Sequence, residues 1–353
     1  MKSLVGVEVQ QGELDLGIPA MPCATAVPQS VGPTVRIAGR TLQPTPVFDT
    51  YWRFAALRQA VYQARLSGEP GPWTNDLVLR RHRFTNCYRA ADRVSQFLIR
   101  DVSYVGSQDL EEVVFRTLLF KMFNRISTWK LLCAEFGEVS WKDFDRVAYD
   151  FVLSRAFKAG AKLYSAAYVV PPPRLGEDRK HSNHLRLLQM MMDASIGERI
   201  AEGGSLREAF ETLRSYPAMG DFLAYQFAID LNYSNAVNFD EMEFVMAGPG
   251  ARDGIRKCFG RASDGIEAQV IAYMAAHQRE HFMRLGLDFT FLGGRRPLQL
   301  IDCQNLFCEV DKYARVAHPD IAGHSGRTRI KQSFAPVAEQ VSAWFPPKWG
   351  LQT

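Results

Sequence analysis

Nowhere in the 353 residues is there an uninterrupted apolar run of the ~18 residues that a membrane-crossing helix needs, so no membrane partner is expected. The first residues do not pass from basic to apolar as a secretory leader does, and an intracellular location, cytoplasmic or nucleoid-associated (nuclear in a eukaryote), is the expectation. Cysteine is sparse. Cys23, Cys87, Cys133, Cys258, Cys303 and Cys308 are scattered, most of them in apolar, helix-like runs, which fits a reducing compartment and excludes a disulfide scaffold. No Gly-x4-Gly-Lys-Ser/Thr occurs, so a Walker-type phosphate loop is missing. Excess charge is missing too: 42 basic and 38 acidic residues leave +4, too little to demand a polyanionic partner. What is present is the balance of a soluble globular protein, 47% hydrophobic and 23% charged, with enough apolar side chains for a large core.

The charge is informative in its distribution. Between Arg80 and Arg100 there are six arginines and one acid, Asp92; smaller basic clusters lie at Arg252–Arg261, Arg295–Arg296 and Arg327–Lys331. Such patches mark either a phosphate-facing surface or simply a solvated face. Residues 1–45 carry Gly, Pro, Gln and Thr without periodicity and read as a flexible arm, with a short strand near Val35–Ile37. From there the period is helical. Segments at Thr50–Leu66, Asn86–Val102, Gln108–Asn124, Ser127–Phe136, Trp141–Ala159, Asn183–Glu202, Leu206–Tyr216, Phe222–Leu231, Ile266–Leu285 and Leu300–Ala317 follow one another. Within Asn86–Val102 the pattern places Arg89, Arg93, Gln96 and Arg100 on one face. Strand signals are few, at Tyr168–Val170 and Phe289–Leu292. The expectation is a mainly α chain: a helical domain over 46–320, then a basic tail over 321–353 with a short amphipathic segment at Val337–Trp344.

Four local patterns carry chemistry. The first is Leu213-Arg-Ser-Tyr-Pro-Ala-Met-Gly-Asp-Phe-Leu-Ala224, a helix, a tight turn through Pro217, Met219 and Gly220, and a second helix. Such a turn frees N–H groups at a helix N-terminus and makes a cradle for a backbone phosphate, or it is an ordinary αα-hairpin. The second is Gly248-Pro-Gly-Ala-Arg-Asp-Gly254, where Gly248 and Gly250 either offer N–H groups to an anion or reverse the chain. The third is the helix face of Asp302, Asn305, Glu309 and Lys312, either a site wall or a salt-bridge network. The fourth, His277-Gln-Arg-Glu-His281, has the spacing of an inverted zinc-protease motif, but no third ligand stands nearby, and no metal is expected.

The hairpin segment resembles the helix-hairpin-helix motif of the DNA glycosylase superfamily at Tyr216, Pro217, Met219, Gly220 and Ala224. In that superfamily an essential Asp follows the second helix, and Asn238-Phe239-Asp240 fits that placement. The departures are Ala218 for the first Gly, Leu223 for the Thr, and Phe222 where bifunctional members carry a Schiff-base lysine. The iron–sulfur cysteine spacing of some members is absent. A resemblance covering nearly all of 48–318 rests on Tyr51-Trp-Arg-Phe, Arg83-Phe-Thr-Asn-Cys-Tyr-Arg-Ala-Ala-Asp-Arg93, Asn238–Ala251 and Asp302–Tyr313. These blocks are similar to the family named for the helical domain of 5-hydroxymethyluracil DNA kinase, also named as the α-glutamyl/putrescinyl thymine pyrophosphorylases.

The resemblance implies a glycosylase-like helical enzyme of DNA thymine hypermodification. It would act on 5-hydroxymethyluracil or its pyrophosphorylated form, with an amine or amino acid displacing pyrophosphate and no cofactor. Chemistry on a stacked base requires flipping it into a pocket. Tyr51, Trp52, Tyr88 and Phe244 are the expected aromatic walls, and Arg89 with Arg93 the expected pyrophosphate clamp, unless they only bridge to Asp92 or to neighbouring helices. Asp240 would act as general base or stabilise a cationic transition state, unless it only caps a helix starting near Glu241. Asp302 and Glu309 are further catalytic candidates, and Lys312 a further DNA contact. Two other readings stay open: a non-catalytic DNA-binding module serving a separate P-loop DNA kinase, and a monofunctional glycosylase of modified thymine.

Overall fold

A computed structural model describes residues 32–166, 170–335, 341 and 343–351. Most of the expected N-terminal arm, Tyr168 of one expected strand, and most of the amphipathic segment at 337–344 lie outside these residues. The expected strand near 35–37 is present: Val35–Ile37 pairs antiparallel with Arg40–Leu42. Ala38 and Gly39, both at positive φ, close the two-residue turn that suits such a hairpin. Phe289–Leu292 forms no strand; only an isolated bridge joins Leu292 to Arg296.

The rest is mainly helical, as the period predicts. The central rod is Pro46–Leu66. Thr45 caps it by accepting from the Val47 N–H at 3.1 Å, and Pro46 occupies a first-turn position where no N–H is missed. Phe48, Tyr51, Trp52, Phe54 and Ala55 on this helix are all at most 1% exposed, so it runs through the core. Against it lies Leu300–Ala317, opened by a reciprocal cap between Gln299 and Asp302. Pro249–Phe259 crosses Leu300–Ala317 so closely that a Cβ on Gly254 would stand 2.1 Å from the Phe307 carbonyl oxygen. Gly254 is required by that approach.

Three expected helices are interrupted. Asn86–Val102 becomes a 3-10 turn at Arg89–Ala91, a helix at Arg93–Leu98 and a π turn at Ile99–Ser103. The cause is local. The Asp92 carboxylate accepts from the Asn86 N–H at 2.8 Å, and the Asn86 amide donates to the Ala91 carbonyl at 2.7 Å, so short polar side chains satisfy the backbone in a loop. Asn183–Glu202 breaks between Lys180–Asp193 and Ile196–Gly203 at Ser195, which has a left-handed φ of 48°. Ile266–Leu285 breaks at His277 into Glu267–Ala276 and Gln278–Arg284. Trp141–Ala159 starts late, at Arg146, where Asp145 accepts from two N–H groups of the first turn. No described helix is long and apolar enough to cross a membrane.

Candidate functional site

The arginine-rich stretch turns inward at Arg89. This residue is 3% exposed, and its guanidinium forks onto Asp230 at 2.6 and 2.8 Å while Nε donates to Gln226 at 2.9 Å. Lys121 approaches the same carboxylate at 2.9 Å. Burial alone would raise the Asp230 pKa; two adjacent cations outweigh it and hold the carboxyl below the usual aspartate range. The expected Arg89–Arg93 clamp is therefore not formed. Arg93 is exposed at the start of its short helix, while Arg89 is locked in the interior.

Asp302 is also a structural group rather than a site wall. Its two oxygens accept from the backbone N–H of Arg89 at 2.8 Å and of Gln299 at 3.0 Å, and burial lifts its pKa to about 7. The four aromatics expected to line a base pocket are core residues, none more than 5% exposed. Tyr51 packs on Phe307 and donates to the Cys303 carbonyl. Trp52 stacks on His281 at 5.0 Å, Tyr88 donates to the Arg296 carbonyl at 2.8 Å, and Phe244 lies between Phe210 and Tyr225. Apolar burial has claimed the rings that the family resemblance assigned to a flipped base. His281 is a core histidine too: Nε2 meets the Tyr273 hydroxyl and Nδ1 accepts from Arg284.

The hairpin at 206–232 has the expected outline. Leu206–Arg214 packs on Asp221–Asn232, with Pro217 and Gly220 exposed at the bend and Met219 tucked beneath it. Ala218 takes a left-handed φ of 63°, at the position where the glycosylase motif carries Gly. Asp221 in the first helical turn pairs with Arg214 across the bend, so this helix N-terminus already faces a carboxylate. Asp240 is exposed and accepts from the Met242 N–H at 2.8 Å; it closes a turn, and no helix starts at Glu241. The neighbouring Glu241 is buried and paired with Arg296 at 2.6 Å. The glycines of the Gly248–Gly254 stretch answer to close packing. Gly248 precedes the helix Pro249–Phe259, and Cβ atoms at 248 and 250 would stand 2.7 Å from the Phe222 ring and 3.0 Å from the Cys308 sulfur.

One surface feature gathers several predicted residues. Gly250, Glu309 and Lys312 line a trough of about 630 Å3, closed on its other side by the extended stretch 325–332. Its cations are Lys312, Arg315, Arg327, Arg329 and Lys331; its carboxylates are Glu309 and Asp311. Glu309 is held by the Thr85 N–H at 3.0 Å and by Lys312 at 2.7 Å. Arg315 pairs with Asp311 and donates to the Arg329 carbonyl, while Arg327 reaches the buried Asp253 at 2.7 Å. Arg329 and Lys331 are exposed and have no ion-pair partner among the described residues. The trough thus sets two unneutralised cations, Arg329 and Lys331, beside three that are held in ion pairs, a composition that can hold phosphate groups.

Compared with known proteins, residues 45–323 match the family model described as 5-hmdU DNA kinase, helical domain. The chain belongs to that family. It is similar to the 5-hmdU DNA kinase of Bacillus phage SP10, with 26% identity over 288 residues, covering 76% of this chain and 45% of the phage protein. The chain therefore spans less than half the length of that relative. No solved structure matches it. The 5-hmdU DNA kinase helical-domain match ends at residue 323, so the trough joins one wall inside it (250, 308–315) to another beyond it (325–332). Sequence reasoning named Glu309, Lys312 and the Arg327–Lys331 cluster separately. It missed Arg315, three residues beyond Lys312, and missed that Arg327, Arg329 and Lys331 line the same trough as Glu309 and Lys312.

Proposed function

We propose that this chain of the 5-hmdU DNA kinase helical-domain family is a DNA-contacting module of thymine hypermodification. It engages 5-hydroxymethyluracil-bearing DNA through backbone phosphates held in the trough. The carrying observation is that, of the trough's five cations, Lys312, Arg315 and Arg327 pair with Glu309, Asp311 and Asp253, while Arg329 and Lys331 have no ion-pair partner among the described residues. Phosphoryl transfer is assigned to polypeptide outside these 353 residues, since they contain no Walker motif and more than half of the phage kinase lies outside the alignment. Transfer of an amine or amino acid with loss of pyrophosphate is a second reading, favoured by the exposure of Asp240 within the 238–251 block.

The test is fluorescence anisotropy with matched duplexes carrying 5-hydroxymethyluracil or thymine, across a salt series. The wild type binds both with a steep negative salt dependence. Replacing Arg327, Arg329 and Lys331 by Ala together flattens the log–log salt slope by about 2–3. A slope unchanged by the triple replacement overturns the assignment of the trough.

A further inference from the structure

A second cavity, of about 450 Å3, opens between the central helix and the 71–84 segment. That size suits one small ligand. Its walls are apolar and ringed: Trp73, Phe84 and Phe334 face it, with Val61 and Leu79 between them. Phe334 is brought there by backbone pairing, its N–H donating to the Arg81 carbonyl at 3.0 Å and the Arg83 N–H to the Gln332 carbonyl at 3.0 Å. The polar residues lining it include Arg58, Arg65, Arg80 and His82, and no carboxylate is among them.

Arg58 is the decisive residue. It is 8% exposed; Nε donates to the Thr85 carbonyl at 2.9 Å and Nη2 to the Asn86 side chain, but the buried Nη1 has no partner. The buried Nδ1 of His82 has none either. An orphaned buried donor leaves its desolvation uncompensated, the more so when charged, so an unpartnered guanidinium nitrogen on a residue that lines an aromatic slot calls for an acceptor from outside. Arg80 is exposed and Arg65 half-buried, with its guanidinium 5.1 Å from the Trp73 ring centre. The cavity therefore combines flat apolar walls, one deep cationic donor and two outer cations.

We infer that this slot binds a nucleotide, its base stacked among Trp73, Phe84 and Phe334 with an acceptor edge on Arg58, and its phosphate on Arg65 and Arg80. A carbonyl-bearing heteroaromatic ring satisfies the walls and the deep donor together, and a phosphate satisfies the outer pair. The ligand is either a free nucleotide or one residue of a single strand. The inference does not rest on the trough, with which the slot shares no lining residue.

Isothermal titration with thymidine 5′-monophosphate, a ten-residue oligothymidylate and inorganic phosphate tests it. The monophosphate or the oligonucleotide saturates the wild type, and inorganic phosphate alone binds far more weakly. Val61→Trp fills the slot from the half-buried face of the central helix and abolishes that binding at unchanged melting temperature. Arg58→Lys weakens it roughly tenfold to a hundredfold. Should Arg58→Lys fail to fold, Arg80→Ala at an exposed position still reads the phosphate contact as a several-fold loss. Binding by the oligonucleotide alone assigns the slot to a strand residue; binding by the monophosphate assigns it to a free nucleotide. The triple trough variant keeps monophosphate binding whether or not the trough holds DNA. Equal affinity for phosphate and monophosphate, or affinities untouched by a folded Val61→Trp, overturn the inference.

Discussion

Two arginines from basic clusters that read alike in the sequence, Arg89 and Arg329, have opposite fates. Arg80–Arg100 and Arg327–Lys331 both read as candidate phosphate-facing surfaces. In the first, Arg89 lies beneath the surface, shared between Gln226 and Asp230, with Lys121 on the same carboxylate. In the second, Arg329 and Lys331 stay at the surface. The difference is set by what each backbone meets. A 3-10 turn at 89–91, fixed by Asn86 and Asp92, drives Arg89 into the space between helices; an extended stretch beyond the last long helix keeps alternate cations in solvent. Clustered arginine by itself does not distinguish an internal tie from a phosphate contact.

The comparison breaks first at stability. Arg89→Ala leaves Asp230 buried with one cation instead of two, and should cost about 3–5 kcal/mol, the loss typical of a broken buried pair. Arg329→Ala should change stability by less than about 0.5 kcal/mol. Urea unfolding of the two variants measures both. Comparable losses would mean that Arg329 is as structural as Arg89.

The second-largest effect is pH-dependent and again belongs to the interior. Burial, with Arg284 adding to it, lowers the His281 pKa to about 4 from an unfolded value near 6.5. Between those values the unfolded chain takes up a proton that the folded chain does not. This contribution is therefore fully present above pH 6.5 and is lost as pH falls toward 4, by roughly 2–4 kcal/mol. Asp302 acts in the opposite sense. Its pKa, raised to about 7, makes the folded state hold a proton longer, so its contribution is present below about 4 and lost as pH rises to 7. His281→Phe should flatten the acid side of the melting-temperature profile, and Asp302→Asn should remove the loss of stability that Asp302 causes between about pH 4 and pH 7. If His281→Phe leaves the acid limb unchanged, His281 is not what opposes protonation of the fold.

The sequence pattern carried the class of fold and most helices because burial repeats along the chain. The central helix, the hairpin at 206–232 and Leu300–Ala317 appear close to their expected bounds. The interruptions at Asp92 and Ser195 were hidden because polar side chains and one left-handed residue replace helix hydrogen bonds without disturbing the apolar period. Tyr51, Trp52, Tyr88 and Phe244 were misplaced for a related reason. An aromatic near a charged block looks the same whether it lines a cavity or fills the core, and only packing against His281, Phe307 and Phe210 decides. The trough needed tertiary structure, since its two walls lie well over fifty residues apart in part and meet only when 325–332 folds back beside Leu300–Ala317. Arg58 and Trp73 gave no sequence signal, because an unpartnered nitrogen is a property of the fold.

The smallest structural effect sharpens the comparison most. Asp240 is exposed, and its carboxylate accepts from the Met242 N–H, a role the oxygen of Asn can also fill. Asp240→Asn should therefore leave unfolding within about 0.5 kcal/mol of wild type, and DNA affinity nearly intact. Incubating wild type and Asp240→Asn with DNA carrying 5-hydroxymethyluracil or its pyrophosphate ester, with and without amino acids, then weighing the digested nucleosides, separates the roles. If a heavier thymidine adduct forms with the wild type and not with the variant, the exposed carboxylate does chemistry beyond closing its turn. If neither protein alters the DNA while both bind it, the chain acts through its cations, and the contrast between Arg89 and Arg329 describes its working surface.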